Sequence, residues 1–245
     1  MTQDLPSPPR LETLAADKPI SLFLDFDGTL VDIAPTPDAI EVPSDLLDKL
    51  AALAERHDGR VALVSGRAID DLEGHLGRVT LACAGSHGSH CRDADGGVVG
   101  DVPGALAEDV LDEVSNFAAA EGFSREDKAH GVALHYRSDP SLENRGLAFA
   151  QKLAERHELQ VKRGKRVIEL TARGGGKADA VRAFMETEPF KGSHPVFVGD
   201  DVTDEDGMRA ATDLGGVGIA VGERPSENAK YALANPAAVH QWLGL

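Results

Sequence analysis

The sequence predicts an α/β protein: a doubly wound, mostly parallel sheet with an α+β unit inserted into it. Three observations carry this reading. Short apolar runs at Ile20-Ser21-Leu22-Phe23-Leu24, Val61-Ala62-Leu63-Val64 and Pro195-Val196-Phe197-Val198 have the length of buried strands. Each run ends in a polar cluster and is followed by a helical pattern, the order of a β-α repeat. The middle third breaks this rhythm and reads α-β-β-α-β-β. A chain of 245 residues with 42% hydrophobic residues can bury one large core or two small ones, which excludes a disordered reading.

Met1 to Pro19 is rich in proline and polar residues and reads as a loose tail. It has neither the basic nor the apolar region of a signal peptide. Ile20 to Leu24 is the first strand. Pro43-Ser44 then caps a helix whose Leu46, Leu47, Leu50 and Leu53 share one face. The strand at Val61, a helix after Arg67 and the strand Thr80-Leu81-Ala82-Cys83-Ala84 complete a Rossmann-like βαβαβ half. Ser86 to Gly100 is rich in Gly and Asp, with a hairpin signal at Asp95-Gly96-Gly97. Leu106 to Ala120 is an amphipathic helix. Phe123 to Lys128 and Val132 to Arg137 form a hairpin, Leu142 to His157 a second helix, and Leu159 to Lys162 with Val167 to Thr171 a second hairpin. After Gly174-Gly175-Gly176 the α/β order resumes: a helix from Lys177, the strand at Val196, a helix after Asp204, the strand Gly218-Ile219-Ala220-Val221 and a short helix near Trp242. The expected division is a tail over 1–19, a core over 20–104 and 175–245, and an inserted domain over 105–174.

The chemistry sits where these strands end. Asp25-Phe26-Asp27-Gly28-Thr29-Leu30 places two carboxylates at the end of a buried strand, where they are costly unless paired or bound to metal. Ser65-Gly66-Arg67 ends the second strand at a helix start, an anion-binding setting. Lys177 offers a point charge for phosphate. Gly199-Asp200-Asp201-Val202-Thr203-Asp204-Glu205 ends a third strand in clustered carboxylates. Open parallel sheets bind ligands at the carboxyl ends of their strands, so the four pieces form one site. A hard cation relieves the repulsion among the carboxylates, and Mg²⁺ suits them together with a substrate phosphate. Asp25, first at the strand end, is the expected nucleophile. Asp27 is the expected general acid and base, its proton favoured by neighbouring carboxylates. Asp25, the Asp27 carbonyl and Asp200 are the expected metal ligands. Asp201 and Asp204 orient those ligands or Lys177. Ser65, the Gly66 N–H and Lys177 hold the phosphoryl oxygens. The reaction is phosphoryl transfer through an aspartyl phosphate. Gly174-Gly175-Gly176-Lys177 is not a P-loop, because Thr171 and Ala178 stand where that loop needs Gly and Ser or Thr.

In this order the motifs resemble those of the haloacid dehalogenase superfamily of phosphatases. Leu134-His135-Tyr136-Arg137, Val167-Ile168-Glu169-Leu170, Gly85-Ser86-His87-Gly88 and the Gly199–Glu205 run narrow the likeness to the trehalose-6-phosphate phosphatase family, from about Ser21 to the C-terminal helix. The resemblance implies that the inserted domain is a cap that selects substrate. It also implies hydrolysis of trehalose 6-phosphate to trehalose and phosphate, the last step of trehalose biosynthesis, with Mg²⁺. On the cap it points to Glu126, Lys128 and Glu169 as sugar-binding residues, with His87, His135, Arg137 and Lys165 as weaker candidates. Where the family often has Lys-Pro-x-Gly-x-x-Lys-Gly, this chain has Thr171-Ala172-Arg173-Gly174-Gly175-Gly176-Lys177-Ala178, a Gly-richer hinge without Pro. The alternatives are a phosphatase for sucrose 6-phosphate, mannosyl-3-phosphoglycerate or glucosylglycerol phosphate, or a non-catalytic sugar-phosphate sensor.

A formal net charge of −16 argues against nucleic acid as a partner. No apolar run reaches the length of a membrane span. Cys83 lies in an apolar run and reads as core, and Cys91 lacks the spacing of a zinc site. A cytoplasmic monomer acting on a small sugar phosphate is expected.

Overall fold

The computed structural model describes residues 5–36, 39–100, 104–128, 131–157, 159–164, 166–172 and 175–245. The elements begin with α1 (Leu11–Leu14), β1 (Ile20–Leu24), α2 (Leu46–Arg56), β2 (Val61–Val64), α3 (Ile69–Leu76), β3 (Ala82–Gly85) and β4 (His90–Arg92). The middle holds α4 (Glu108–Glu121), β5 (Ser124–Lys128), β6 (Gly131–His135), α5 (Glu143–His157), β7 (Leu159–Gly164) and β8 (Val167–Ala172). The chain ends with α6 (Lys177–Met185), β9 (His194–Gly199), α7 (Asp204–Asp213), β10 (Val217–Val221), β11 (Tyr231–Leu233) and α8 (Pro236–Leu243). Contacts divide it into two compact units, Met1–Val102 with Gly175–Leu245, and Pro103–Gly174.

The first unit is an α/β fold on a seven-stranded sheet of order β11-β10-β9-β1-β2-β3-β4. Every neighbouring pair is parallel except β3 and β4. Alternation along β1 divides its side chains between two cores. Ile20, Leu22 and Leu24 join Leu46, Leu50, Leu53 and Val239 on one face, while Phe23 joins Val181, Phe184, Phe197 and Met208 on the other. The chain runs outward from β1 to β2 and β3, then returns to the other side of β1 at β9 and continues to β10 and β11. β1 and its neighbours therefore flank the point where strand order reverses, the usual ligand site of such sheets.

The predicted elements recur with small differences. Asp45, not Ser44, is the N-cap of α2. β4 pairs with β3, an element absent from the sequence reading, and its turn spans the predicted Asp95-Gly96-Gly97. The expected loose tail differs from what is found between residues 5 and 19. The Pro6 carbonyl accepts the Ala232 N–H at 3.0 Å, the Pro9 carbonyl accepts the Trp242 indole N–H at 2.8 Å, and Leu11 and Leu14 pack on the first core. Prolines remove donors from a segment but leave its carbonyls free to accept.

The second unit is a four-stranded antiparallel sheet of order β5-β6-β8-β7. Val132, Leu134, Ile168 and Leu170 turn one face to Val110, Val114, Ala150 and Leu153 of α4 and α5. The opposite face follows from the register. Glu126 pairs with Ala133, Ala133 with Glu169 and Glu169 with Lys162, so these four stand in one row. Among the described residues no helix is long and apolar enough to cross a membrane.

Candidate active site

β1, β2 and β9 end side by side, and their last residues lead into the site. The Asp25 N–H donates to the Val198 carbonyl at 2.9 Å, which ties the end of β1 to β9. Asp25 is 4% exposed, and its Oδ2 accepts the Thr29 hydroxyl at 3.3 Å. Lys177 opens α6. Its turn is shaped by Asp179, whose Oδ2 accepts the N–H groups of Gly175 and Gly176 at 3.2 Å each. Gly175 has φ +118°, and a Cβ there would strike Ser89, so this position requires glycine. The Lys177 ammonium is thereby delivered, itself buried, to Asp25 Oδ1 at 2.6 Å and Asp204 Oδ1 at 2.5 Å. The second Asp204 oxygen accepts the Asp201 N–H at 2.8 Å.

This is an electrostatically loaded pocket. One ammonium serves two buried carboxylates, and Asp200 stands close by. Burial pushes the Asp25 carboxyl up to about 8; Lys177 opposes this, while Asp204 and Asp200 reinforce it. Burial, with Asp204 and Asp201, raises Asp200 to about 6. Lys177 is held above its ordinary value by the two carboxylates, against its own burial. Carboxylate oxygens of Asp25, Asp200 and Asp204 all lie within 4.8 Å of one another. Both Asp204 oxygens take close donors, at 2.5 and 2.8 Å, whereas Asp25 Oδ2 has only the long Thr29 contact at 3.3 Å, so Asp25 and Asp200 are the pair more open to a cation. A Cβ on Gly28 would stand 2.2 Å from Asp200 Oδ2, so the absence of a side chain there makes room for that carboxylate. Hard oxygen donors crowded beyond neutralisation fit a divalent cation such as Mg²⁺.

Asp27 differs from its expected setting. Its partner is a guanidinium: Arg67 Nε donates to Asp27 Oδ2 at 2.7 Å and Nη2 to Oδ1 at 2.8 Å, a fork-to-carboxylate pair. Arg67 also reaches Asp71 Oδ2 at 2.8 Å. Arg67 stands in the Ser65-Gly66-Arg67 motif, where the sequence alone assigns it no role. Ser65 is fully buried. Its Oγ accepts the Arg67 N–H at 3.1 Å, so it shapes the turn, and the residue is not among those lining the cavity. Gly66 does line it, with the His87 ring packed so closely that a Gly66 Cβ would stand 2.8 Å from it. The cavity, about 400 Å³, brings together Asp25, Asp27, Gly66, Arg67, His87, Lys177, Asp200 and Asp201 with a rim that includes the exposed Ile33. This size accommodates a phosphoryl group with part of a sugar.

On the second unit, the two glutamates of the row are paired with residues of neighbouring rows on the same face. The Lys128 ammonium donates to Glu169 Oε1, and His135 Nε2 lies 2.7 Å from Glu126 Oε2. Lys162, which no sequence motif marks, stands opposite Glu169 in the ladder; burial lowers its pKa, with Glu169 opposing and Lys128 contributing. Arg137 is exposed beyond the end of β6. Lys165 lies outside the described residues.

A strand-end aspartate, a second aspartate two residues on, a buried lysine and an acidic third strand end stand together at the carboxyl end of this sheet. The fold is shared with a phosphatase of the haloalkanoate (HAD) enzyme superfamily from Bacteroides thetaiotaomicron (TM-score 0.70, 17% identity, 94% of this chain and 95% of that one). The chain belongs to the trehalose-phosphatase family, whose sequence model matches residues 23–237. It is 36% identical to the trehalose-6-phosphate phosphatase of Escherichia coli K12 over 99% of this chain and 90% of the relative. It also superposes on an Aspergillus fumigatus trehalose-6-phosphate phosphatase structure with a TM-score of 0.75 and 25% identity, covering 98% and 97% of the two chains.

Proposed function

We propose that the chain hydrolyses trehalose 6-phosphate to trehalose and inorganic phosphate in an Mg²⁺-dependent reaction. The buried Lys177 ammonium between Asp25 and Asp204 carries the chemical reading, and family membership supports the substrate. A carboxylate oxygen of Asp25 attacks phosphorus, the bond from phosphorus to the sugar oxygen breaks, and Asp27 gives that oxygen its proton. Asp25 then carries the phosphoryl group as an acyl phosphate. Asp27 takes a proton from a water that attacks phosphorus, and the bond to Asp25 breaks to return the free carboxylate. Lys177 and the Gly66 N–H bind the phosphoryl oxygens, while Ser65 fixes the turn that presents Gly66. In the resting protein the Asp27 carboxylate is engaged by Arg67, and substrate entry has to release it. Asp25, Asp200 and the Asp27 carbonyl would hold Mg²⁺, which supplies positive charge against the crowded carboxylates and the substrate phosphate. Two free, buried cysteines go with a reducing cytoplasm, where such an enzyme meets a soluble sugar phosphate.

The polar sheet face of the second unit reads the sugar in this proposal, through Glu126, Lys128 and Glu169. Glu169→Ala removes a hydroxyl partner but leaves the phosphoryl chemistry in place. A lost charge-assisted hydrogen bond costs roughly 1.5–3 kcal/mol, or about one to two decades. Steady-state kinetics should therefore show kcat/KM for trehalose 6-phosphate falling by that much, with p-nitrophenyl phosphate cleaved nearly as before. Equal losses on both substrates would mean that Glu169 supports the fold or the catalytic centre instead.

A further inference from the structure

The loop that carries Asp200 has little packing of its own. Asp201 and Thr203 are exposed, and Val202 is 66% exposed. A guanidinium from the loop after β10 holds it in place. Arg224 Nε donates to the Asp200 carbonyl at 2.9 Å, and Nη2 donates to the Asp201 carbonyl at 2.9 Å. The same Nη2 reaches Glu205 Oε1 at 2.7 Å, and Nη1 donates to the Pro225 carbonyl at 2.9 Å. Glu205 is fixed in turn. Its Oε2 accepts the Asn228 N–H and side-chain amide at 3.0 Å each and the Glu227 N–H at 3.2 Å. Arg224 thus bridges two consecutive carbonyls of the acidic loop, and its planar fork is braced from the far side. On its other side the Asp200 carboxylate lies against Gly28.

We propose that Arg224, braced by Glu205, is a positioning residue that fixes the Asp200 main chain and so sets the affinity of the Asp25–Asp200 site for a divalent cation. This rests on the metal reading given above. It also gives a role to Glu205, the last residue of the Gly199–Glu205 motif, which the phosphoryl chemistry leaves unused. Two effects of Arg224 on cation binding have opposite signs. As a positive charge near the site it repels a cation, so its loss should tighten binding. As a clamp it holds a ligand in place, so its loss should weaken binding. Loss of an outer partner that orients a ligand commonly costs about 10- to 100-fold in metal affinity. The sign of the change therefore separates clamp from charge.

The test is titration of the full chain with Mg²⁺, read by calorimetry and by the Mg²⁺-induced rise in melting temperature. Parent, Arg224→Ala, Arg224→Lys and Glu205→Gln are compared. Arg224→Ala should raise the Mg²⁺ Kd by about 10- to 100-fold. Arg224→Lys keeps the charge but cannot span two carbonyls and Glu205 at once, and should also bind more weakly than the parent. It tests the clamp even if the alanine variant fails to fold. Glu205→Gln should weaken binding in the same direction. In both Arg224 variants, saturating Mg²⁺ should restore most of kcat, with KM for the sugar phosphate little changed. Mg²⁺ affinity equal to or tighter than the parent's in the Arg224 variants would overturn the inference and leave the metal reading standing. A parent that binds no Mg²⁺ would overturn both.

Discussion

Asp25→Asn should yield a folded protein with turnover reduced by at least about 10⁴-fold, since removing a covalent nucleophile forfeits the pathway built around it. Asparagine matches the size of aspartate, so the cavity and the Lys177–Asp204 pair persist. The same substitution has a second readout. In the metal-free parent one ammonium stands against Asp25 and Asp204, and burial pushes the Asp25 carboxyl up to about 8 from 3.8. A carboxyl whose folded value is raised contributes stability that is present at low pH and is lost as pH rises between the two values. In chelator, the parent's melting temperature should fall as pH climbs toward 8, and the Asp25→Asn profile should be flatter. Turnover within tenfold of the parent would remove Asp25 from its role. A steeper pH profile for the variant would overturn the electrostatic account of the pocket.

Lys177→Ala should damage both stability and catalysis. Its ammonium is buried with Asp25 and Asp204, and its loss strands the Asp204 carboxylate away from water. Removing one partner from a buried ion pair costs about 3–5 kcal/mol, which for a chain of this size lowers the melting temperature by roughly 10 °C. Unlike Glu169→Ala, it should reduce hydrolysis of trehalose 6-phosphate and of p-nitrophenyl phosphate alike, because it acts on the phosphoryl group both share. Thermal denaturation and parallel kinetics on the two substrates check this. An unchanged melting temperature, or a loss confined to the sugar substrate, would contradict the placement of Lys177.

The strand ends were the legible part of this chain. Buried parallel strands appear as unbroken apolar runs, and carboxylates directly after such runs stand out because burial penalises them. Asp25, Asp200, Asp204 and Lys177 come together for that reason. The partners of those residues were less legible. Arg67 reaches Asp27 across 40 positions and Arg224 reaches Asp200 across 24, and no local pattern announces either bond. The Ser65 hydroxyl accepts the Arg67 N–H across its turn, a bond that its residue type does not announce. β11, only three half-buried residues, is too short to show a period of two. Lys162 became visible only through the register that sets it opposite Glu169.

The proposed function is that of a metal-dependent phosphatase selective for trehalose 6-phosphate. Phosphate release from trehalose 6-phosphate, sucrose 6-phosphate, mannosyl-3-phosphoglycerate and glucosylglycerol phosphate, each with Mg²⁺ and after exhaustive chelation, tests it most directly. A site built around substrate hydroxyls discriminates strongly, so kcat/KM for trehalose 6-phosphate should exceed the others by at least about 100-fold. Release should vanish on chelation and return with Mg²⁺. Equal or faster release from another sugar phosphate, undiminished release after chelation, or silence on every substrate would contradict the account.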